Sequence, residues 1–218
     1  MVTVPWYSVV IFAGVGFTSY FIFASFLYGA GYQPAPPRVA RRMLQLAKVG
    51  SGDEVFDLGA GTGGLLFQAV EVLGARGTGV EVEPIRYLYL RYRRRRSPAR
   101  DRIHILRKDL FTVDLTNATV VLAFLWPGAM RRLKEKLKKE LRPGTRVVSY
   151  YHRITGWKTL EEDAPLRVFV YGIPPVEEPE EPPRRSGPIG LAPGALAAEI
   201  RTGPAEGVAA GAVTPAPR

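Results

Sequence analysis

The sequence predicts an α/β domain with a mostly parallel, Rossmann-like sheet, preceded by one N-terminal transmembrane helix. Three observations predict it. Short apolar runs with strand character alternate with helical stripes between Arg38 and Tyr171. The first run ends in a glycine-rich turn that opens a helix. Ahead of both, residues 1–37 carry no charged side chain.

The elements follow in order. Val4 to Tyr28 is almost wholly apolar and aromatic. As a helix it would reach roughly 37 Å at about 1.5 Å per residue, enough to cross a bilayer. Trp6 and Tyr7 open it, and Tyr28 and Tyr32 close it, as interfacial aromatics do. The first charges beyond it are Arg38, Arg41, Arg42 and Lys48, which puts the following domain on the cytoplasmic side. A cleaved signal peptide and a buried helix of a soluble domain are the competing readings. The missing basic leader argues against the first, and the missing polar face against the second.

Val39, Met43, Leu46 and Ala47 recur at helical spacing. Strands are expected at Glu54–Leu58, Gly77–Glu81, Arg102–Leu106, Thr119–Leu125, Arg146–Tyr151 and Leu166–Tyr171. Helices are expected at Gly64–Leu73, from Pro84 to about Arg96, and along Met130, Leu133, Leu137 and Leu141. The organisation is therefore an anchor over 1–30, a domain over 31–172 and a disordered Pro/Gly/Ala-rich tail over 173–218, with a docked helix at Ala195–Arg201 as its alternative.

Composition narrows the chemistry. The chain has 218 residues and no cysteine, which excludes disulfides, zinc fingers and a cysteine nucleophile. Two histidines, His104 and His152, argue against a metal site. The missing cysteine also fits a thermophile. A formal net charge of +10 favours acidic partners such as anionic lipid, nucleic acid or an acidic protein.

The segment that carries chemistry is Asp57-Leu58-Gly59-Ala60-Gly61-Thr62-Gly63. Glycines at a strand end let a ligand approach the backbone. A nicotinamide dinucleotide would also use such a turn, but its pyrophosphate would be repelled by Asp57. S-adenosylmethionine (SAM) has no phosphate and carries two cationic groups, so an acidic turn suits it. Glu81, at the end of the second strand, is placed to accept two hydrogen bonds from a ribose diol; Glu83 is its nearest competitor. Asp109, after the third strand, is placed for the adenine amino group, with Val82 and Leu110 flanking the ring. An ordinary capping role is the alternative for Asp109.

Together these residues resemble the class I SAM-dependent methyltransferases. More narrowly, the chain is similar to the archaeal protein lysine methyltransferases and their mitochondrial eukaryotic relatives. Tyr32-Gln33-Pro34, the Asp57–Gly63 motif, Gly79-Val80-Glu81-Val82-Glu83-Pro84 and Asp109-Leu110-Phe111 carry that likeness, over about residues 30–172. The resemblance implies Asp57, Gly59, Ala60, Gly61, Gly63, Glu81, Val82, Asp109 and Leu110 as the cofactor set. Glu83 stands where the family often has asparagine, and Leu125-Trp126-Pro127-Gly128 departs from it after the fourth strand. The Asn-Pro-Pro-Tyr signature of enzymes acting on adenine or glutamine is missing.

Trp126, Tyr150 and Tyr151 fall at the ends of the fourth and fifth strands, where a methyl acceptor would approach; core packing is the alternative for Tyr150 or Tyr151. His152 is read either as a base or as a surface histidine. The run Arg91, Arg93–Arg96, Arg100, Arg102 and the Lys/Arg-rich helix at 131–142 are read as lipid- or nucleic-acid-binding, or as solvated faces. The expected function is a membrane-anchored methyltransferase acting on protein lysine. The alternatives are a methyltransferase for a lipid, quinone or other small molecule, an RNA methyltransferase, and a non-enzymatic SAM-binding module.

Overall fold

In the computed structural model the described residues are 5–27 and 33–178, with side chains described for 5–20 and 33–178. Helix α1 spans Trp6–Leu27 and α2 spans Pro37–Leu46. Strand β1 (Glu54–Leu58) leads to α3 (Gly64–Phe67), and β2 (Arg76–Val80) to α4 (Pro84–Arg96). Strands β3 (Ile103–Leu106) and β4 (Val120–Ala123) follow, then α5 (Pro127–Glu140). Strands β5 (Arg146–Tyr150), β6 (Glu161–Asp163) and β7 (Val168–Gly172) complete the sheet.

The sheet order is β3-β2-β1-β4-β5-β7-β6. Strands β1 to β5 are parallel, and β7 runs antiparallel to both its neighbours. Chain order reverses between β1 and β4, so the ends of these strands open a crevice at the carboxyl edge of the sheet. Both faces are covered. Val39, Met43 and Leu44 of α2 pack with Leu65 and Ala69 on one side, and Met130, Leu133 and Leu137 of α5 on the other.

Two elements depart from the sequence expectation. The helix expected over Gly64–Leu73 is α-helical only to Phe67 and continues as a π-helical turn over Gln68–Val72. There Leu66 and Val70 press on β2, where a Cβ on Gly77 would lie 2.6 Å from Leu66 and 2.8 Å from Val70. Only residues without a side chain let this segment sit so close. Strand β6 was not expected, because Glu161, Glu162 and Asp163 show no apolar alternation. It is an edge strand, where charge protects against unwanted pairing, and Asp163 accepts from Arg42 Nε of α2 at 2.7 Å.

The expected transmembrane span falls on α1. Among the described residues no helix is long and apolar enough to cross a membrane. The disordered tail expected from residue 173 does not begin there: Ile173 is buried and its N–H donates to the Thr145 carbonyl, the Val176 carbonyl accepts from Lys158 N, and Glu177 bridges to Trp157, because these residues extend the pairing beyond β7. The rest of the expected span, the Tyr32 position, residues 179–218 of the expected tail and the alternative helix at Ala195–Arg201 lie outside the described side chains.

Candidate cofactor and acceptor site

Register places the site. Leu58 of β1, Ala123 of β4 and Ser149 of β5 lie side by side, so Gly59, Phe124 and Tyr150 follow at one level at the carboxyl edge, Tyr150 as the last residue of β5. Gly59, Gly61 and Gly63 all have positive φ, at 79°, 57° and 78°, a region that side chains with a Cβ seldom occupy. The N–H groups of Gly59 and Ala60 both donate to the Val80 carbonyl at 2.9 Å, which ties the turn to the end of β2. At Gly63 a Cβ would also lie 2.7 Å from both Leu90 and Phe67.

Two buried carboxylates flank this turn. Asp57 is 4% exposed, and burial pushes its carboxyl up to about 7. A backbone hydrogen bond from Leu66 works against that rise, and the Glu81 charge adds to it. Glu81 is 5% exposed. Its Oε2 accepts from Gly61 N at 2.8 Å and its Oε1 from Glu83 N at 3.0 Å. Oε1 also lies 3.4 Å from Arg86 Nε, so Oε2 is the oxygen with more capacity left for a ligand hydroxyl.

Glu83 is committed elsewhere. Its carboxylate caps α4, accepting from Ile85 N at 2.9 Å and Arg86 N at 2.7 Å, and it also accepts from the Tyr20 hydroxyl of α1. Burial raises this carboxyl, but these three hydrogen bonds and the Arg86 charge outweigh it and hold it low. Asp109 is exposed, and its Oδ1 accepts from Phe111 N at 3.0 Å, capping a short 3-10 turn over Leu110–Thr112. Val82 and Leu110 are half-buried beside these acids in sequence.

The acceptor candidates form one aromatic group. Trp126 and Tyr151 are 43% and 44% exposed. The His152 ring lies 6.3 Å from Trp126 and 5.0 Å from Tyr151, and Tyr150 lies 6.2 Å from Tyr151. Tyr150 turns toward Phe124, 4.4 Å away, and packs at the edge of the α2-side core, so its packing reading has weight. Tyr151 has φ of 71°, and the His152 N–H donates to the Tyr150 carbonyl at 2.9 Å around it. This is a γ-turn of the rare positive-φ kind, strained for an aromatic residue. Tyr151 N donates to the Arg167 carbonyl at 2.7 Å, and the Arg167 guanidinium stands 4.3 Å over its ring. His152 is half-buried; burial and, less strongly, Arg167 lower its pKa, so the imidazole is neutral at pH 7. Sequence reasoning passed over Phe124 and Arg167. The aromatic run Phe124-Leu125-Trp126 was a usable signal for the first; Arg167 gave none.

A parallel sheet with this strand order, a reversed penultimate strand and an acid-bearing glycine turn at its switch point defines a class I SAM-dependent methyltransferase. The donor set fits that cofactor: two buried carboxylates beside a backbone-lined turn suit a cationic, phosphate-free nucleoside. Comparison with known proteins agrees. The model for the ANTKMT methyltransferase domain matches residues 57–161. A protein-lysine N-methyltransferase from Saccharolobus islandicus (strain REY15A) is 39% identical over 145 residues, 64% of this chain and 90% of that protein. The adenine nucleotide translocase lysine N-methyltransferase of Mus musculus is 30% identical over 144 residues, 65% of this chain and 62% of its own length. A crystal structure of an RNA methyltransferase from Salinibacter ruber with S-adenosyl-L-homocysteine superposes with a TM-score of 0.63 at 34% identity, covering 68% of this chain and 98% of that one. The chain belongs to the family of these lysine N-methyltransferases, and its methyl donor is SAM.

Proposed function

We propose that this enzyme methylates lysine side chains of a protein substrate. The observation that carries the proposal is the aromatic group of Trp126, Tyr151 and neutral His152 at the carboxyl edge of β4 and β5. Ring faces attract an ammonium group. Aromatic walls also strip water from it, which lowers its pKa and favours the neutral amine that attacks. His152, being uncharged, can accept the proton that the amine sheds. SAM, when bound, supplies a methyl group on a cationic sulfur. Asp57 and Glu81 would hold it by its cationic and ribose groups, and Asp109 with Val82 and Leu110 by its adenine. The names of the two curated relatives support a lysine acceptor.

The same proposal gives the enzyme a membrane anchor, with the catalytic domain on the cytoplasmic side. Its support is the charge-free sequence of the 22-residue α1 and the basic residues that follow it. Deleting residues 1–30 should release the protein from membranes; persistence in the pellet would remove the anchor.

A second reading is RNA methylation. The name of the Salinibacter ruber relative and the net charge of +10 favour it. One experiment separates the readings: methyl transfer from radiolabelled SAM into an extract of the source cell, divided into protein, lipid and RNA. Label on protein lysine, located by mass spectrometry, is the expected result. Label confined to RNA or lipid would overturn it.

A further inference from the structure

Helix α4 shows the solvent an unusual face. Its inner side holds Leu90, fully buried. At about 100° per residue, Ile85, Leu88, Tyr89 and Tyr92 fall in one stripe roughly opposite Leu90. They are 38%, 60%, 46% and 51% exposed. A solvated helix face would carry charge there, and four adjoining large apolar and aromatic side chains need a partner.

The stripe is edged by cations. Arg91, Arg95 and Arg96 are exposed, and α4 contains no acidic residue. The Arg96 guanidinium stands 4.8 Å over the Tyr92 ring, at the far end of the stripe. Aliphatic and tyrosine side chains on one side, with arginines able to reach past them, are what an interfacial helix offers a lipid surface. Tyrosine sits well where one end of the ring is apolar and the other wet.

We propose that the outer face of α4 docks on an anionic lipid surface, as a contact separate from α1. Two features favour lipid over RNA. Ile85 and Leu88 lead the stripe, and aliphatic side chains neither stack on bases nor bind phosphate. The stripe also begins where α1 meets the domain, since Tyr20 of that exposed apolar helix donates to Glu83, the cap of α4. Headgroup phosphates would meet Arg91, Arg95 and Arg96 while Leu88, Tyr89 and Tyr92 enter the acyl boundary. The proposal does not depend on α1 spanning a bilayer or on the identity of the methyl acceptor.

The test uses the full chain, which has no cysteine of its own. Leu88→Cys accepts a single polarity-sensitive fluorophore, and Asn117→Cys, exposed at the opposite rim of the sheet, is the control. Each protein is reconstituted in vesicles of phosphatidylcholine alone or with about one third phosphatidylglycerol. The expected result is a blue shift of the Leu88 label in the anionic vesicles only. It should be reversed by roughly 1 M salt and lost in Arg91→Glu/Arg95→Glu/Arg96→Glu. The Asn117 label should not shift. SAM affinity of the triple variant should be unchanged, so its failure is distinct from failure of the methyltransferase site. No shift at Leu88 in anionic vesicles, or a shift with an RNA oligonucleotide and none with vesicles, overturns the proposal.

Discussion

The two halves of the sheet are built of similar strands and end differently. On the β1–β2–β3 side the carboxyl edge ends in glycines with positive φ and in carboxylates buried to 4–5%. On the β4–β5 side it ends in half-exposed rings around a strained turn at Tyr151. The first half must hold one fixed molecule, so its backbone itself is shaped. Under the proposed function the second admits a group carried on another molecule, and there shape is left to side chains at the surface. Changes on the first side should therefore destroy binding or folding, and changes on the second should alter turnover alone.

The largest expected effect is at Asp57. Asp57→Ala should weaken SAM binding about 100-fold, the scale of a lost charge-assisted contact, as read by calorimetry. Retained micromolar affinity would place the cofactor elsewhere. Next comes Gly63→Ala, which adds a Cβ both in a disfavoured backbone region and within 2.7 Å of Leu90 and Phe67. It should destabilise the domain by about 2–3 kcal/mol in denaturant unfolding; an unchanged midpoint would mean the turn can relax.

The other half should answer differently. Trp126→Ala should lower kcat/KM for the acceptor about tenfold, near 1.4 kcal/mol in the transition state, with SAM affinity unchanged. A parallel loss of SAM affinity would erase the division between the halves. The smallest effect is in pH. The Asp57 carboxyl rises from 3.8 to about 7 in the folded chain. Between about pH 4 and pH 7 the folded state therefore holds a proton that the unfolded state has lost. Stability of the cofactor-free enzyme should fall as pH rises through that window. A cationic cofactor prefers the ionised carboxylate, so SAM affinity should rise severalfold from pH 6 to pH 8, with proton release. Asp57→Asn should flatten the stability trend; an unchanged trend would assign it to another group.

What the sequence disclosed follows the same division. The β1 turn was legible because its glycines and Asp57 are adjacent in the chain, and Glu81 because it closes the next strand. The positions of β1, α4 and α5 were legible because each has a clean apolar period or a proline start. That the Glu81 carboxylate holds Gly61 N was not legible, since it depends on two strand ends meeting. Arg167 over Tyr151 was hidden for the same reason: the residues are brought together only by the antiparallel return of β7. The π-helical turn at Gln68–Val72 was invisible because it keeps the apolar residues of an ordinary helix.

That return of β7 also decides on which side of the sheet Glu178 lies. Strand β7 runs down, away from the mouth, and Ile173 N donates to the Thr145 carbonyl at the base of β5. Glu177 pairs with Lys138, near the lower end of α5, and Glu178 N donates to the Gly156 carbonyl. A purification tag or surface linker joined just past Glu178 thus starts from the underside of the sheet. An enzyme immobilised that way would present its catalytic mouth to solution.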